Sequence, residues 1–192
     1  MLFRSNMNMF YLSTRPQECA EWSVNSHCVK MILESAQLLS TAHRVLDGVQ
    51  YIDASSGRKI KRWRLDDWRE DKLYSATHIN HPCAIWCREQ TTNYRWLHDL
   101  LGEYCGEYTY RYGKIHKIEQ SGLLSDLSCQ PNNIKRVNIE DGISKPPSAM
   151  DPKYIISDDP IINYRNYYKN GKAHLHKWKN RNVPDWMKVK ES

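Results

Sequence analysis

Apolar side chains recur at helical spacing between residues 26 and 46, where Cys28, Ile32, Leu39, Ala42 and Leu46 share one face with Met31, Ser35 and Leu38 beside them. The stretch holds no Gly or Pro and ends at Asp47-Gly48, a stop at which Gly supplies a left-handed cap. One helix over 26–46 is predicted. A second stripe, His27, Lys30, Glu34, Gln37, Thr41 and Arg44, advances in steps of three and four, which keeps six polar side chains on one side. The plain interpretation is a solvated face, and the chemical one is the lining of a polar cleft.

The rest of the chain follows the same logic. Residues 9–12 are a short apolar run, a strand or an extended entry segment. Pro16 near a first turn predicts a helix over 17–25, with Ser26 capping the next one. The pattern breaks over 49–74, which reads as a loop or hairpin. Ile85, Trp86, Tyr94, Leu97, Leu101, Tyr104, Cys105 and Tyr108 carry a long third helix from 84 to the stop at Tyr112-Gly113. Residues 122–152, punctuated by Pro131, Asp141-Gly142 and Pro146-Pro147, read as loop, and helical spacing returns over 161–178. The fold expected is mainly α, a compact bundle of three to five helices with long loops. It forms a single domain over 7–192, with a basic insertion at 49–74 and a basic, aromatic segment at 153–192. Residues 1–6 read as an extension or an alternative start ahead of Met7.

Charge and composition narrow the partner. Seven Trp and twelve Tyr stand against two Phe, and the net charge is +6, a balance that suits stacking and polyanion contact. Cations cluster at Arg58, Lys59, Lys61, Arg62 and Arg64, and again from Arg165 through Lys177, Lys179, Arg181 and Lys190. No apolar run reaches membrane-span length and no signal-peptide core is present, so most of the six cysteines are expected to be reduced thiols packed in a cytoplasmic protein. Neither common phosphate-binding Gly loop occurs, and no G-x-S-x-G elbow. His78-x-x-His81-Pro-Cys83-x-x-x-Cys87 has zinc-ligand residue types, but its spacing matches no standard finger or ribbon, and the thiols equally suit a core. No metal is expected. Glu34, mid-helix beside His27, Lys30 and Gln37, is the best single candidate for acid–base work.

Five short motifs carry a resemblance: Met7-Asn8-Met9-Phe10, His27-x-x-Lys30-x-x-x-Glu34-x-x-Gln37-Leu38-Leu39, Asn80-His81-Pro82, Trp86-x-Arg88 and Tyr110-Arg111-Tyr112. In this order they resemble the small pyrimidine-dimer DNA glycosylase family over roughly residues 7–113, closest to its uncharacterised bacterial and phage branch. A phage member also places a His seven residues before its catalytic Glu, as His27 and Glu34 are placed here. The resemblance implies an all-helical protein that flips a damaged or modified pyrimidine out of lesion-containing duplex DNA and cleaves its glycosidic bond, with AP-lyase activity as a further step. It implies an amine nucleophile and a carboxylate that stabilises the cationic transition state, and neither metal nor cofactor. On that reading Glu34, His27 and Lys30 are catalytic, Lys30 standing in as the amine. Gln37, Asn80, His81, Trp86, Arg88, Lys177, Lys179 and Arg181 bind the substrate. The alternatives are an inactive module of the same fold that holds nucleic acid or protein, and a viral enzyme that modifies bases. The oligomeric state is left open.

Overall fold

The structure, a computed structural model, describes residues 7–188. The readings of residues 1–6 as an extension and of Lys190 as a contact lie outside that range. In chain order the helices are α1 (Pro16–Trp22), α2 (Asn25–Asp47), α3 (Arg69–Lys72), α4 (Pro82–Glu89), α5 (Thr91–Tyr112), α6 (Lys117–Gln120), α7 (Leu123–Asp126) and α8 (Pro160–Gly171). Strands β1 (Val49–Asp53) and β2 (Ile60–Arg64) form an antiparallel hairpin, with Val49 opposite Arg64 and Asp53 opposite Ile60. The fold is mainly α, as expected from the sequence, and it is compact.

Two long helices make the frame. His43 on α2 bonds Tyr94 near the start of α5, while Asn25 at the start of α2 meets Arg111 at the end of α5, so the pair runs antiparallel. Met31, Ile32, Leu38 and Leu39 from α2 join Leu97, Leu100, Leu101 and Tyr104 from α5 in one continuous core. Burying one such aliphatic side chain is worth about 1.5–3 kcal/mol, which fixes the helical faces more firmly than propensity does. Residues 7–12 thread into the same core without helix or strand, turning at Phe10, with Met9 and Leu12 fully buried.

Several boundaries differ from the sequence reading, each for a tertiary reason. Helix α2 begins at Asn25 behind Val24, and Ser26 is exposed rather than a cap; the Asn25 N–H donates to the Lys177 carbonyl at 2.8 Å. Gly48 is extended (φ −86°), not left-handed. Its requirement is space, since a Cβ there would lie 2.5 Å from the Arg44 carbonyl oxygen and 3.1 Å from that of Arg64. The long third helix is broken at Gln90, which is extended at φ −157°. Thr91 and Thr92 spend their hydroxyls on the Val137 and Gly142 carbonyls, a competition with the helix ladder that local spacing does not reveal. The last helix stops at Gly171 instead of 178.

Residues 172–188 then return as a strap. The Lys179 N–H and the Lys177 carbonyl both bind Asn25, and the Trp178 indole N–H donates to the Trp22 carbonyl at 2.9 Å. The cation-rich tail is thereby tied across the α1–α2 elbow.

Candidate active site around Glu34

The polar stripe of α2 is mostly buried, neither a solvated face nor an open cleft lining. His27, Glu34, Thr41 and Arg44 are each 5% exposed or less, Gln37 is half-buried and only Lys30 reaches solvent. Each buried member has found a partner far away in sequence. Arg44 donates to the carbonyls of Trp63, Glu70, Leu73 and Tyr74 and pairs with the Glu70 carboxylate, locking the hairpin and α3 onto α2. Thr41 exchanges hydrogen bonds with the backbone of Thr77, at 3.3 and 3.1 Å, which lays the 77–81 turn alongside α2.

Glu34 sits where the entry segment crosses the helix. One carboxylate oxygen accepts the Asn8 N–H at 2.9 Å and the other meets the Lys30 ammonium at 2.9 Å. Asn8 in turn accepts the N–H groups of Met9 and Phe10 on its side-chain oxygen and donates its amide to the Ala149 carbonyl. This turn holds Phe10 at φ +45°, a left-handed conformation that costs a bulky L residue about 1–2 kcal/mol. Burial raises the Glu34 carboxyl above its usual range, and Lys30, the Asn8 N–H and the nearby positive charge of His78 offset it only in part. The result is a carboxyl group that holds its proton more tightly than a solvated glutamate, a direction that favours proton transfer.

His27 is not available to a substrate, which corrects its catalytic reading. Its ring stacks on Phe10 at 4.1 Å, its Nδ1 lies 2.7 Å from the Tyr168 hydroxyl, and burial pulls its pKa down to about 3. It is a neutral packing residue. Trp86 is corrected likewise: it is 4% exposed, edge-on to Trp96, and its indole N–H donates to the Ser144 carbonyl, leaving no face for a base. Arg181 is committed inside the fold, forking onto both Glu107 oxygens at 3.0 and 2.8 Å and covering the Tyr110 ring. Lys179 lies over Tyr112, and Lys177 is exposed.

Some of the remaining polar groups of the predicted site are left unspent. Gln37 is one turn along α2, Asn80 is exposed on the 77–81 turn, and the half-buried Arg88 keeps a buried Nη1 with no protein partner. His81 caps α4 through Nδ1, accepting the Cys83 N–H at 3.1 Å, so Nε2 carries its proton and faces outward from that bond. His78 was missed as a site residue. It is exposed at φ +48°, and its charge acts on both Glu34 and His81. The sequence marks it only as a zinc-type residue in the His78-x-x-His81 pair and as a histidine in a turn, one of the side chains that tolerate the left-handed region.

No family model, curated protein or solved structure matches this chain. Function therefore rests on the residues alone. Among the described residues no three His, Cys, Asp or Glu side chains converge as a metal cage. Cys83 is fully buried against Tyr164 and Met9, and burial, with the Glu34 charge adding to it, pushes its thiol up to about 12, so it behaves as a core residue. No described helix is long and apolar enough to cross a membrane.

Proposed function

We propose that the chain is a glycosylase-like enzyme that acts on damaged or modified pyrimidines in DNA, with Glu34 as its carboxylate and an amine beside it as nucleophile. The observation that carries this reading is the company Glu34 keeps: a backbone nitrogen of the entry segment and the Lys30 ammonium, each at 2.9 Å, around a carboxyl group with a raised pKa. The chemistry balances with these groups alone. A neutral amine bonds to C1′ as the glycosidic bond breaks, and its electron pair leaves with the base. The base takes the Glu34 proton, and the carboxylate then recovers one from the attacking nitrogen. Opening of the sugar leaves an iminium, from which β-elimination follows. The projecting hairpin supports the partner, since Arg58, Lys59 and Lys61 are exposed and carry no carboxylate partner among the described residues.

Borohydride trapping on duplex DNA with a pyrimidine lesion, and on an abasic site, tests the reading. A covalent adduct is expected, lost in Lys30→Arg if Lys30 is the amine. Retention of the adduct in Lys30→Arg, with loss only when the amino terminus is blocked, transfers the role to that amine. No adduct and no base release on either substrate overturns the reading.

One observation favours an inactive binding module of the same fold. Both Glu34 oxygens already hold protein donors, which is what an anchor for the entry segment requires. Salt-sensitive DNA binding without base release selects that alternative.

A further inference from the structure

A polar concavity lies beside the first turns of α5 and the 128–136 loop. It encloses about 310 Å³ and is lined by Arg95, His98, Ser128, Gln130 and Arg136. That volume falls at the small end of ligand sites, room for a phosphorylated fragment rather than a large apolar molecule. We propose that this cavity binds a phosphate group.

The charge arrangement is the first reason. Arg44, Arg69, Arg111 and Arg181 each hold a carboxylate. Among the described residues Arg95 and Arg136 have none, yet both face the same cavity. Both arginines are exposed and line one concavity, and a guanidinium's planar fork matches a phosphate or carboxylate edge. Asp99, 3.9 Å from His98 Nδ1 with its side chain 57% exposed, does not line the cavity, nor does any other carboxylate among the described residues.

The second reason is that the walls are fixed and their remaining donors point to an acceptor. Arg136 stands between two backbone anchors: the Lys135 carbonyl accepts the Thr91 N–H at 3.0 Å, and the Val137 N–H donates to the Thr91 hydroxyl at 3.2 Å. Upstream, the Asn132 and Asn133 N–H groups donate to the Asp47 carboxylate at 2.8 and 2.9 Å. A loop without helix or strand is thus held in place, so little ordering is left to be done on binding. Gln130 donates one amide hydrogen to the Thr91 carbonyl and keeps the other. His98 Nε2 lies 3.0 Å from the Leu124 carbonyl, which can only accept, so Nε2 carries the proton and the ring is held against α7. The Ser128 hydroxyl is spent on the Ser125 carbonyl and contributes only lone pairs.

Asp47 also links this cavity to the basic hairpin, because β1 begins two residues after it. A strand of nucleic acid on the hairpin would then have a phosphodiester within reach of Arg136, whereas a free monophosphate would bind without the hairpin. The inference does not depend on Glu34 being catalytic.

Titration calorimetry at low salt separates these sources, using inorganic phosphate, thymidine 5′-monophosphate and an eight-nucleotide single strand as probes. The proteins compared are the full chain, Arg95→Gln, Arg136→Gln, the double variant and Arg58→Gln. Each cavity substitution is expected to weaken at least one probe by about tenfold or more, with the double variant losing it, while the melting midpoint without probe is unchanged. Loss confined to the oligonucleotide identifies a backbone phosphodiester, and loss of the monophosphate with the oligonucleotide unaffected identifies a free phosphate ester. If no probe binds, or the double variant binds every probe as the full chain does, the proposal is overturned. Should a Gln variant not fold, Arg95→Lys with Arg136→Lys retains the charge and removes the forks, and unchanged affinity in that pair overturns it equally.

Discussion

Glu34 and Glu107 are buried to the same degree, 5% and 4% exposed, each on a long helix and each with a cation one turn away. Their protonation moves in opposite directions. At Glu107 burial pushes the carboxyl up, but hydrogen bonds from Arg181 and Arg111 outweigh it and the pKa is lowered. At Glu34 burial wins and the pKa is raised. The difference lies in the cations. The Arg111 side chain is itself fully buried and donates further to the Ser23 carbonyl, so its field is unscreened. Half of the Lys30 side chain is in water, where an ion pair contributes little. The helical spacing that clamps α5 to the strap therefore leaves the Glu34 charge under-compensated, a condition more common at functional sites than in structural ion pairs.

The largest effect expected comes from breaking the clamp. Arg111→Met leaves Glu107 with Arg181 alone and strips donors from the carbonyls of Glu21 and Ser23. Removing one partner of a buried pair costs about 3–5 kcal/mol. Urea denaturation measures it, and a loss below about 1 kcal/mol would show that the two glutamates are not different in kind. Glu34→Gln should be within about 1 kcal/mol of the parent in the same assay, since Gln can still accept the Asn8 N–H.

Next comes the functional side of the same substitution. If Glu34 transfers the proton or stabilises a developing cation, Glu34→Gln slows single-turnover base release by a factor on the order of a hundred to a thousand. Glu107→Gln, measured at a temperature where it stays folded, should leave that rate within about threefold, because its contacts are all to the strap and α5. Equal loss in both variants would mean that activity reports stability and not chemistry.

This contrast was only half legible in the sequence. The apolar spacing of α2 located the helix, because burial of one face and helical periodicity are the same constraint. The polar stripe was legible as a row but not as a buried one. Its partners are the Asn8 nitrogen, 26 residues away, the Tyr168 hydroxyl, 141 away, and the backbone of 63–77, none of which local patterning can place. For the same reason Arg181 looked like a phosphate contact, although its partner Glu107 lies 74 residues upstream. The break at Gln90 is set by threonine bonds to residues 137 and 142, and propensity gives no sign of it. Arg58, Lys59 and Lys61 stay exposed with no carboxylate partner among the described residues, because no distant element packs over the hairpin at those positions.

A smaller loss is expected from the strap. Arg181→Ala removes a partly exposed fork from Glu107 but leaves Arg111 in place, so about 1–2 kcal/mol should be lost, clearly less than for Arg111→Met. The double variant should exceed the sum of the singles, because Glu107 is then buried without any cation. Additive losses in denaturation would place the clamp's stability elsewhere, in the aromatic contacts of Tyr110 and Trp178.

The smallest effect is also the most specific, because its sign differs between the two carboxyls. Glu107 has a folded pKa below its unfolded value of about 4.5, so the unfolded chain binds the extra proton between the two values. Its contribution is complete above the unfolded pKa and is lost as pH falls through the folded one. Glu34 has a folded pKa above the unfolded value, so the native chain binds the extra proton. Its protonated form is the one folding favours, and the associated stability is present below about pH 4.5 and fades as pH rises through the folded pKa. Subtracting each Gln variant from the parent isolates one group at a time. From pH 4 to pH 7, stability of the parent relative to Glu34→Gln should decline, whereas relative to Glu107→Gln it should hold or rise. Histidine titration does not confound the subtraction: His27, whose pKa burial pulls down to about 3, is common to all three proteins and cancels. Two difference curves of the same sign would show that Lys30 compensates Glu34 as fully as the arginines compensate Glu107, and the under-compensated carboxyl on which the functional reading depends would not exist.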